Sequence, residues 1–417
     1  MISREFIEKA FSSYYERNFS SIIAPVMIEK REFGFVLRKQ GMTRHKGFRS
    51  EDELKHFLHE SAPADAYYSC AYYADPEAEM EKKGWIGADL VFDIDADHIP
   101  TTCGKVHDEW TCGLCGFVGK GITPDECPAC RGQKFEVKTW PCVECLGSAK
   151  SETIKLLDML QTDFGFSQSE THVFFSGHRG YHVHVENAVV QKLDTMARKE
   201  IVDYVTGLGF NDGFNNLDRK KKIEPRFPTA PRLGDYGWRR RLARGMYDFI
   251  LNSKEEDLEK IEVSKKISEL VLRNRDAILK SWEDVGPYRT VKGVGLETWR
   301  RIVEHCVASL TAKIDTVVTT DIHRLIRLTG ALHGKTGLKK IECPISNIQA
   351  FDPFKSAVAF KEGAATVSVS SVPEFRLGEE TFGPFKNQKV ELPTAAAVLI
   401  VCKGRGEVVD YNVQRAI

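Results

Sequence analysis

Seven of the chain's eleven cysteines fall between residues 103 and 145. No other feature restricts the fold so sharply, because four thiolates drawn to one cation dictate the path of every loop between them. The run "CGLCGFVGKGITPDECPAC" sets Cys112, Cys115, Cys127 and Cys130 as two CxxC pairs with eleven residues between them. Each pair can place two sulfurs on one knuckle, and the adjoining glycines permit the tight turn, so a tetrahedral zinc site is expected. Outside it lie Cys103, His107, Cys142 and Cys145, spaced C-x3-H and C-x2-C. They would form a second, Cys3His set whose loop encloses the first. His107 could instead be a surface histidine, with Asp108 or another group completing the set. A redox role for a CxxC pair is the alternative to zinc. Both sets are closed by four protein ligands, which points to a structural role. Cys70, Cys306, Cys343 and Cys402 are scattered and read as ordinary core or surface residues.

Just before this region, "ADLVFDIDADH" poses an electrostatic problem. Leu90, Val91, Phe92 and Ile94 read as a buried strand, yet Asp93, Asp95 and Asp97 recur at every second position. Strand side chains alternate faces, so the three carboxylates would share one face, where like charges repel. A salt-bridged edge strand is one resolution. The other is a divalent-cation site, since Mg2+ and Mn2+ take hard oxygen ligands and remove the repulsion.

Two further stretches give that site company. "THVFFSGHRGYHVHVEN" reads as strand, tight glycine turn, strand. Ser176, Gly177 and Gly180 shape the turn, presenting Arg179 and His182 together with backbone N–H groups that suit a phosphate chain. A strand histidine can equally be structural. In "KIDTVVTTDIHRLIRLTGALHGKTG", Asp315 precedes a helix predicted from about residue 320, capped by Thr319 or Thr320, with Ile322, Leu325 and Ile326 inward. That helix would carry Arg324 and Arg327, and the loop after it His333 and Lys335. "GALHGKT" is not a P-loop: three residues separate its glycines where four are required, and it follows a helix.

The remainder bounds the class. A chain of 417 residues, 42% hydrophobic and 28% charged, can bury a large core and hold two or three domains. Net charge is zero, which argues against a histone-like or tail-driven nucleic-acid binder but leaves two local basic patches, 218–226 and 238–244. No apolar run is long enough for a bilayer and no secretory leader opens the chain, so a cytoplasmic location without membrane attachment is expected. Residues near the N-terminus have helical spacing, "REFGFVLRK" alternates as a strand, and Ser151 is placed to cap a helix before Ile154. A mostly helical block runs from about 190 to 310, and a Pro- and Val-rich tail of strands follows. The expected class is α/β (α+β) with a mixed sheet, a helical subdomain and an inserted zinc-binding module. Its boundaries are 1–98, 148–190 and 311–417 for the core, 99–147 for the insert and 191–310 for the helical part.

The paired aspartates, SGxRGxH and the distant aspartate ahead of "HRLIRLTGALHGKTG" together resemble the catalytic small subunit of archaeal and eukaryotic DNA primase. "YYSCAYYADP" and "KGWIGADLVFDIDADH" are similar to its archaeal branch. The resemblance implies a nucleotidyltransferase that starts strands without a primer on single-stranded DNA, using nucleoside triphosphates and Mg2+ or Mn2+. It implies Asp93 and Asp95 as paired metal ligands and Asp315 as the third carboxylate. Ser176, Arg179 and His182 match the triphosphate motif. Arg327, His333 and Lys335 fall at further phosphate contacts, and Arg44 at a basic residue near the nucleotide. Asp97 has no ligand role. Cys103, His107, Cys142 and Cys145 resemble the family's zinc knob, and the inner CxxC pairs look like an added zinc-ribbon loop. A large subunit carrying an iron–sulfur cluster is the implied partner. A non-enzymatic zinc-ribbon nucleic-acid-binding protein and a metal-dependent nuclease are the alternatives.

Overall fold

The acidic strand is built as its pattern requires, at the edge of a four-stranded antiparallel sheet ordered Ile341–Cys343, Thr171–Phe175, Gly180–Val185, Leu90–Asp95. One face of this sheet is solid core. Leu90, Phe92 and Ile94 lie beside Tyr181, Val183, Val185, Val173 and Phe175, all with 0% exposure. Each such side chain contributes about 1.5–3 kcal/mol by leaving water. A slip of one residue would exchange the faces, so this core holds the aspartates on the other side.

This computed structural model describes residues 2–38, 40–210, 229–284 and 286–411. The basic run 218–226 lies outside the described residues. The chain divides into two compact units, one of residues 1–154, 166–199 and 313–417, the other of residues 155–165 and 200–312.

The first unit is mixed α+β. Beside the central sheet stands a second antiparallel sheet, ordered Leu325–Arg327, Asp65–Ser69, Phe33–Leu37, Gly41–Lys46. A third joins Phe385–Pro393, Ala364–Val372 and Gly406–Tyr411. The tail is therefore mostly strands, but its most apolar run forms the helix Thr394–Cys402. Ala396 to Ile400 are all buried there, as a helix apolar on every side must be. No described helix is long and apolar enough to cross a membrane. The cysteine-rich insert carries a small sheet, Val118–Lys120, Glu109–Cys112 and Phe135–Lys138.

The second unit is helical. Helices Gly237–Asn252 and Leu296–Leu310 pack through Leu242, Met246 and Ile250 against Trp299, Ile302 and Val303. The basic patch 238–244 lies on the first of these. Two of its arginines are paired, Arg239 with Asp235 at 3.0 Å and Arg241 with Asp158 at 2.6 Å, while Arg240 and Arg244 are exposed.

Two local expectations fail. Ser151 caps nothing: the helix already starts at Val143, and Ser151 Oγ donates to the Gly147 carbonyl at 3.0 Å. Nor does a helix begin near 320. A single turn, Thr316–Thr320, is capped by Asp315, and Leu325–Arg327 is a strand paired with Tyr67–Ser69. Partner strands settled what a short apolar period left ambiguous.

Candidate active site

Register brings the motifs together. Asp93 lies directly opposite His182, and Asp95 opposite Gly180. Side chains opposite one another share a face, so the aspartates and His182 all look away from the core. Gly180 has no tolerance for a side chain, since a Cβ there would sit 2.3 Å from the Ile94 carbonyl oxygen. Between the strands, Ser176 N–H donates to the Gly180 carbonyl at 3.0 Å, and His178 N–H donates to Ser176 Oγ at 3.3 Å. Gly177 takes φ +88°, a conformation that favours glycine.

A cleft of about 180 Å³ opens over this face. Of the residues singled out from sequence, Asp93, Asp95, Ser176, His182, Arg324, Arg327 and His333 line it, joined by Tyr67 and His178. Asp315 is held nearby, its N–H donating to the Asp93 carbonyl at 2.8 Å, and its Oδ1 accepts from Val317 N–H at 3.0 Å. Arg327 arrives on the neighbouring sheet, buried, and its guanidinium contacts Asp65 and donates to Tyr67 Oη at 3.3 Å. His333 stacks on His178 with ring centroids 5.0 Å apart. Lys335 is exposed next to that pair, close enough for its charge to bear on both histidines. Arg44 does not line the cleft; its Nε donates to Glu32 at 3.0 Å.

Arg179 is the exception in the turn. It is 1% exposed, and its Nη1 donates to Asp108 Oδ2 at 2.7 Å and Oδ1 at 2.9 Å. Its Nη2 pairs with Asp97. The guanidinium therefore does not line the cleft. The side chain expected at the phosphates is held here in a buried ion pair with Asp108 and Asp97, and only its Nε has no partner among the described residues.

The cleft is polarised. Burial, then Asp95 and Asp315, push the Asp93 carboxyl up to about 7. Burial also raises Asp95 against the pull of Arg179. Burial and surrounding cations hold His178, His182 and His333 well below the ordinary histidine range. His182 Nε2 stands 3.6 Å from Asp93 Oδ1, and its buried Nδ1 has no hydrogen-bond partner among the described residues. Burial lowers Lys340 and Lys403 to about 7. Lys403 Nζ reaches His178 Nε2 at 2.5 Å and Thr139 Oγ1 at 3.3 Å. A desolvated carboxylate pair beside a cluster of cations and neutral imidazoles is matched to a hard cation and an anionic ligand together. His178 was legible as the open position of SGxRG. Asp65, Tyr67 and Lys403 carried no signal, since they come from segments with no motif of their own.

The cysteine sets are closed. Cys103 Sγ lies 3.6 Å from Cys145 Sγ, 3.8 Å from Cys142 Sγ and 3.5 Å from His107 Nε2. Cys112 and Cys130 sulfurs are 3.6 Å apart, and those of Cys115 and Cys127 3.7 Å. A tetrahedron with metal–sulfur bonds of about 2.3 Å has edges of about 3.8 Å, so each set could hold a zinc ion. His107, rather than Asp108, turns toward the sulfurs; Asp108 accepts from His107 Nδ1 at 2.8 Å. Among the described residues, only these two sets bring three or more Cys, His, Asp or Glu ligand atoms within 4.8 Å of one another. Asp93, Asp95 and Asp315 do not form such a group.

Comparison with known proteins agrees with this geometry. A family model described as DNA primase small subunit matches residues 141–342. A DNA primase small subunit of Nitrosopumilus maritimus is 33% identical over 399 residues, covering 96% of this chain and 97% of the relative. Those of Methanothrix thermoacetophila and Archaeoglobus fulgidus are 33% and 32% identical, each covering 97% of this chain and 98% of the relative. The chain belongs to the DNA primase small-subunit family. Its function is that of a primase catalytic subunit of the archaeal type, and neither the zinc-ribbon binding protein nor the nuclease is favoured.

Proposed function

We propose that the chain synthesises short primers on single-stranded DNA by template-directed nucleotidyl transfer from nucleoside triphosphates, without a pre-existing 3′ end. The observation that carries this reading is the register that faces Asp93 with His182 and Asp95 with Gly180 over one cleft. Asp93, Asp95 and Asp315 would hold Mg2+ or Mn2+. Such a cation supplies Lewis-acid stabilisation of charge on the phosphate and lowers the pKa of the attacking hydroxyl.

The chain's own groups do the rest. Ser176 and the turn's N–H groups, with His178, His182, Arg327, His333 and Lys335, bind the triphosphate and hold its α-phosphorus for in-line attack. Arg327, now on Asp65, keeps its charge for that purpose because its guanidinium does not deprotonate. Buried neutral histidines become better donors to phosphate oxygens as negative charge enters and raises their pKa. The two cysteine sets hold structural zinc, and a large primase subunit is the partner.

The test is primer-free synthesis on a single-stranded template, with Mn2+ or Mg2+ supplied or withheld. Asp93→Asn and Asp315→Asn should each reduce product at least a thousandfold while zinc stays near two equivalents per chain. Near-wild-type synthesis by either variant would overturn the site.

A further inference from the structure

Arg179 and Asp97 are left over by this reading: one lies in the phosphate-binding turn without facing the cleft, the other in the acidic strand's sequence without a ligand role. They meet each other. The acidic strand ends at Asp95, whose Oδ1 accepts Asp97 N–H at 2.9 Å. Ala96 N–H donates to the Arg179 carbonyl at 3.1 Å, and the Arg179 guanidinium pairs with Asp97. One arginine therefore grips, through main chain and side chain, the two residues that follow Asp95.

The same guanidinium continues toward the outer cysteine set. Asp108, 4% exposed, accepts two bonds from Arg179 Nη1 and accepts Trp140 N–H at 2.8 Å. Its Oδ1 also accepts from Nδ1 of His107, whose Nε2 lies with the Cys103 and Cys145 sulfurs. Arg179 Nη1 reaches the Trp140 carbonyl at 3.4 Å as well. A carboxylate behind a metal-bound histidine orients that ligand. This one is simultaneously a counter-charge, with Asp97, of an arginine buried beside the acidic strand.

We infer that Asp108 and Arg179 are positioning residues that tie the outer zinc knob to the carboxylate strand, so that the folded knob sets the placement of Asp93 and Asp95. Buried hydrogen-bonded ion pairs transmit position well because neither partner has an alternative in water. On this view the knob sits between the two motifs in sequence because it buttresses the turn of one against the strand of the other. The inference rests on the divalent-cation role of the aspartates proposed above.

Mn2+ binding, followed by its paramagnetic signal in the full chain without template, tests it independently of synthesis. Asp108→Asn keeps an acceptor for His107 and should keep zinc near two equivalents, yet weaken Mn2+ binding about tenfold. Arg179→Met should weaken it similarly, and the double variant no further, because both cut one connection. Arg179→Lys, which keeps the charge, should recover binding to within about threefold of wild type. Mn2+ affinity within twofold of wild type in Asp108→Asn, additive losses in the double variant, or zinc loss in Asp108→Asn would overturn the connection while leaving the cation site standing. Failure of the wild-type chain to bind Mn2+ would overturn both.

Discussion

Asp93 shows the conflict between stability and function at the level of one side chain. Its carboxyl, ordinarily at 3.8, is pushed to about 7 by burial and by Asp95 and Asp315. A group whose folded pKa is raised contributes stability that is complete below the unfolded value and lost as pH rises through the folded one. The cation-free protein should therefore lose on the order of 4 kcal/mol between about pH 4 and pH 7, less where cleft water screens the charge. Asp93→Asn removes the charge, so at pH 8 without divalent cations it should melt several degrees above wild type. Added Mn2+ should then raise the melting temperature of wild type and not of the variant. Equal melting temperatures at pH 8 would contradict this reading of Asp93. At this scale the sequence was partly legible. Three carboxylates at alternate positions announced a conflict and the resemblance left Asp97 without a ligand role; geometry supplies the physical reason, pairing Asp97 with Arg179 while the other two line the cleft.

At the scale of elements, the strand pattern was the most readable feature, because a face of Leu90, Phe92 and Ile94 has only one satisfactory side. The turn was readable through its glycines. Gly180→Ala would set a methyl 2.3 Å from the Ile94 carbonyl, inside the ladder itself. Relief requires the strands to part, so the variant should be less stable by about 1–3 kcal/mol in urea unfolding and lose most of its synthesis. Unchanged stability would mean that the register is looser than described. The segment after Asp315 was misread for a definite reason. Ile322, Leu325 and Ile326 satisfy helical spacing, but so few residues cannot distinguish a helix from an edge strand, and pairing with Tyr67–Ser69 decides it. Asp315, read as a metal ligand ahead of a helix, also accepts Val317 N–H as the cap of the single turn that follows.

At the scale of the molecule, the site is assembled from segments widely separated in sequence: Asp93 and Asp95, the turn at 176–180, and Arg327 with His333. Their motifs were visible separately; that they meet was implied by the resemblance and not by any local pattern, because sheet order has no local sequence signature. Lys403 illustrates the remainder, a lysine after a buried apolar helix that reaches His178 only because the third sheet delivers it. The central claim is that carboxylates and phosphate-binding groups form one site, and linkage states it thermodynamically: cation and triphosphate must each strengthen binding of the other by the same factor. The direct measurement is calorimetric titration of Mn2+ with and without a non-hydrolysable nucleoside triphosphate. Wild type should bind Mn2+ at least tenfold more tightly with the nucleotide present, and His182→Ala should lose most of that gain. Mn2+ affinity indifferent to nucleotide in the wild-type chain would contradict the account.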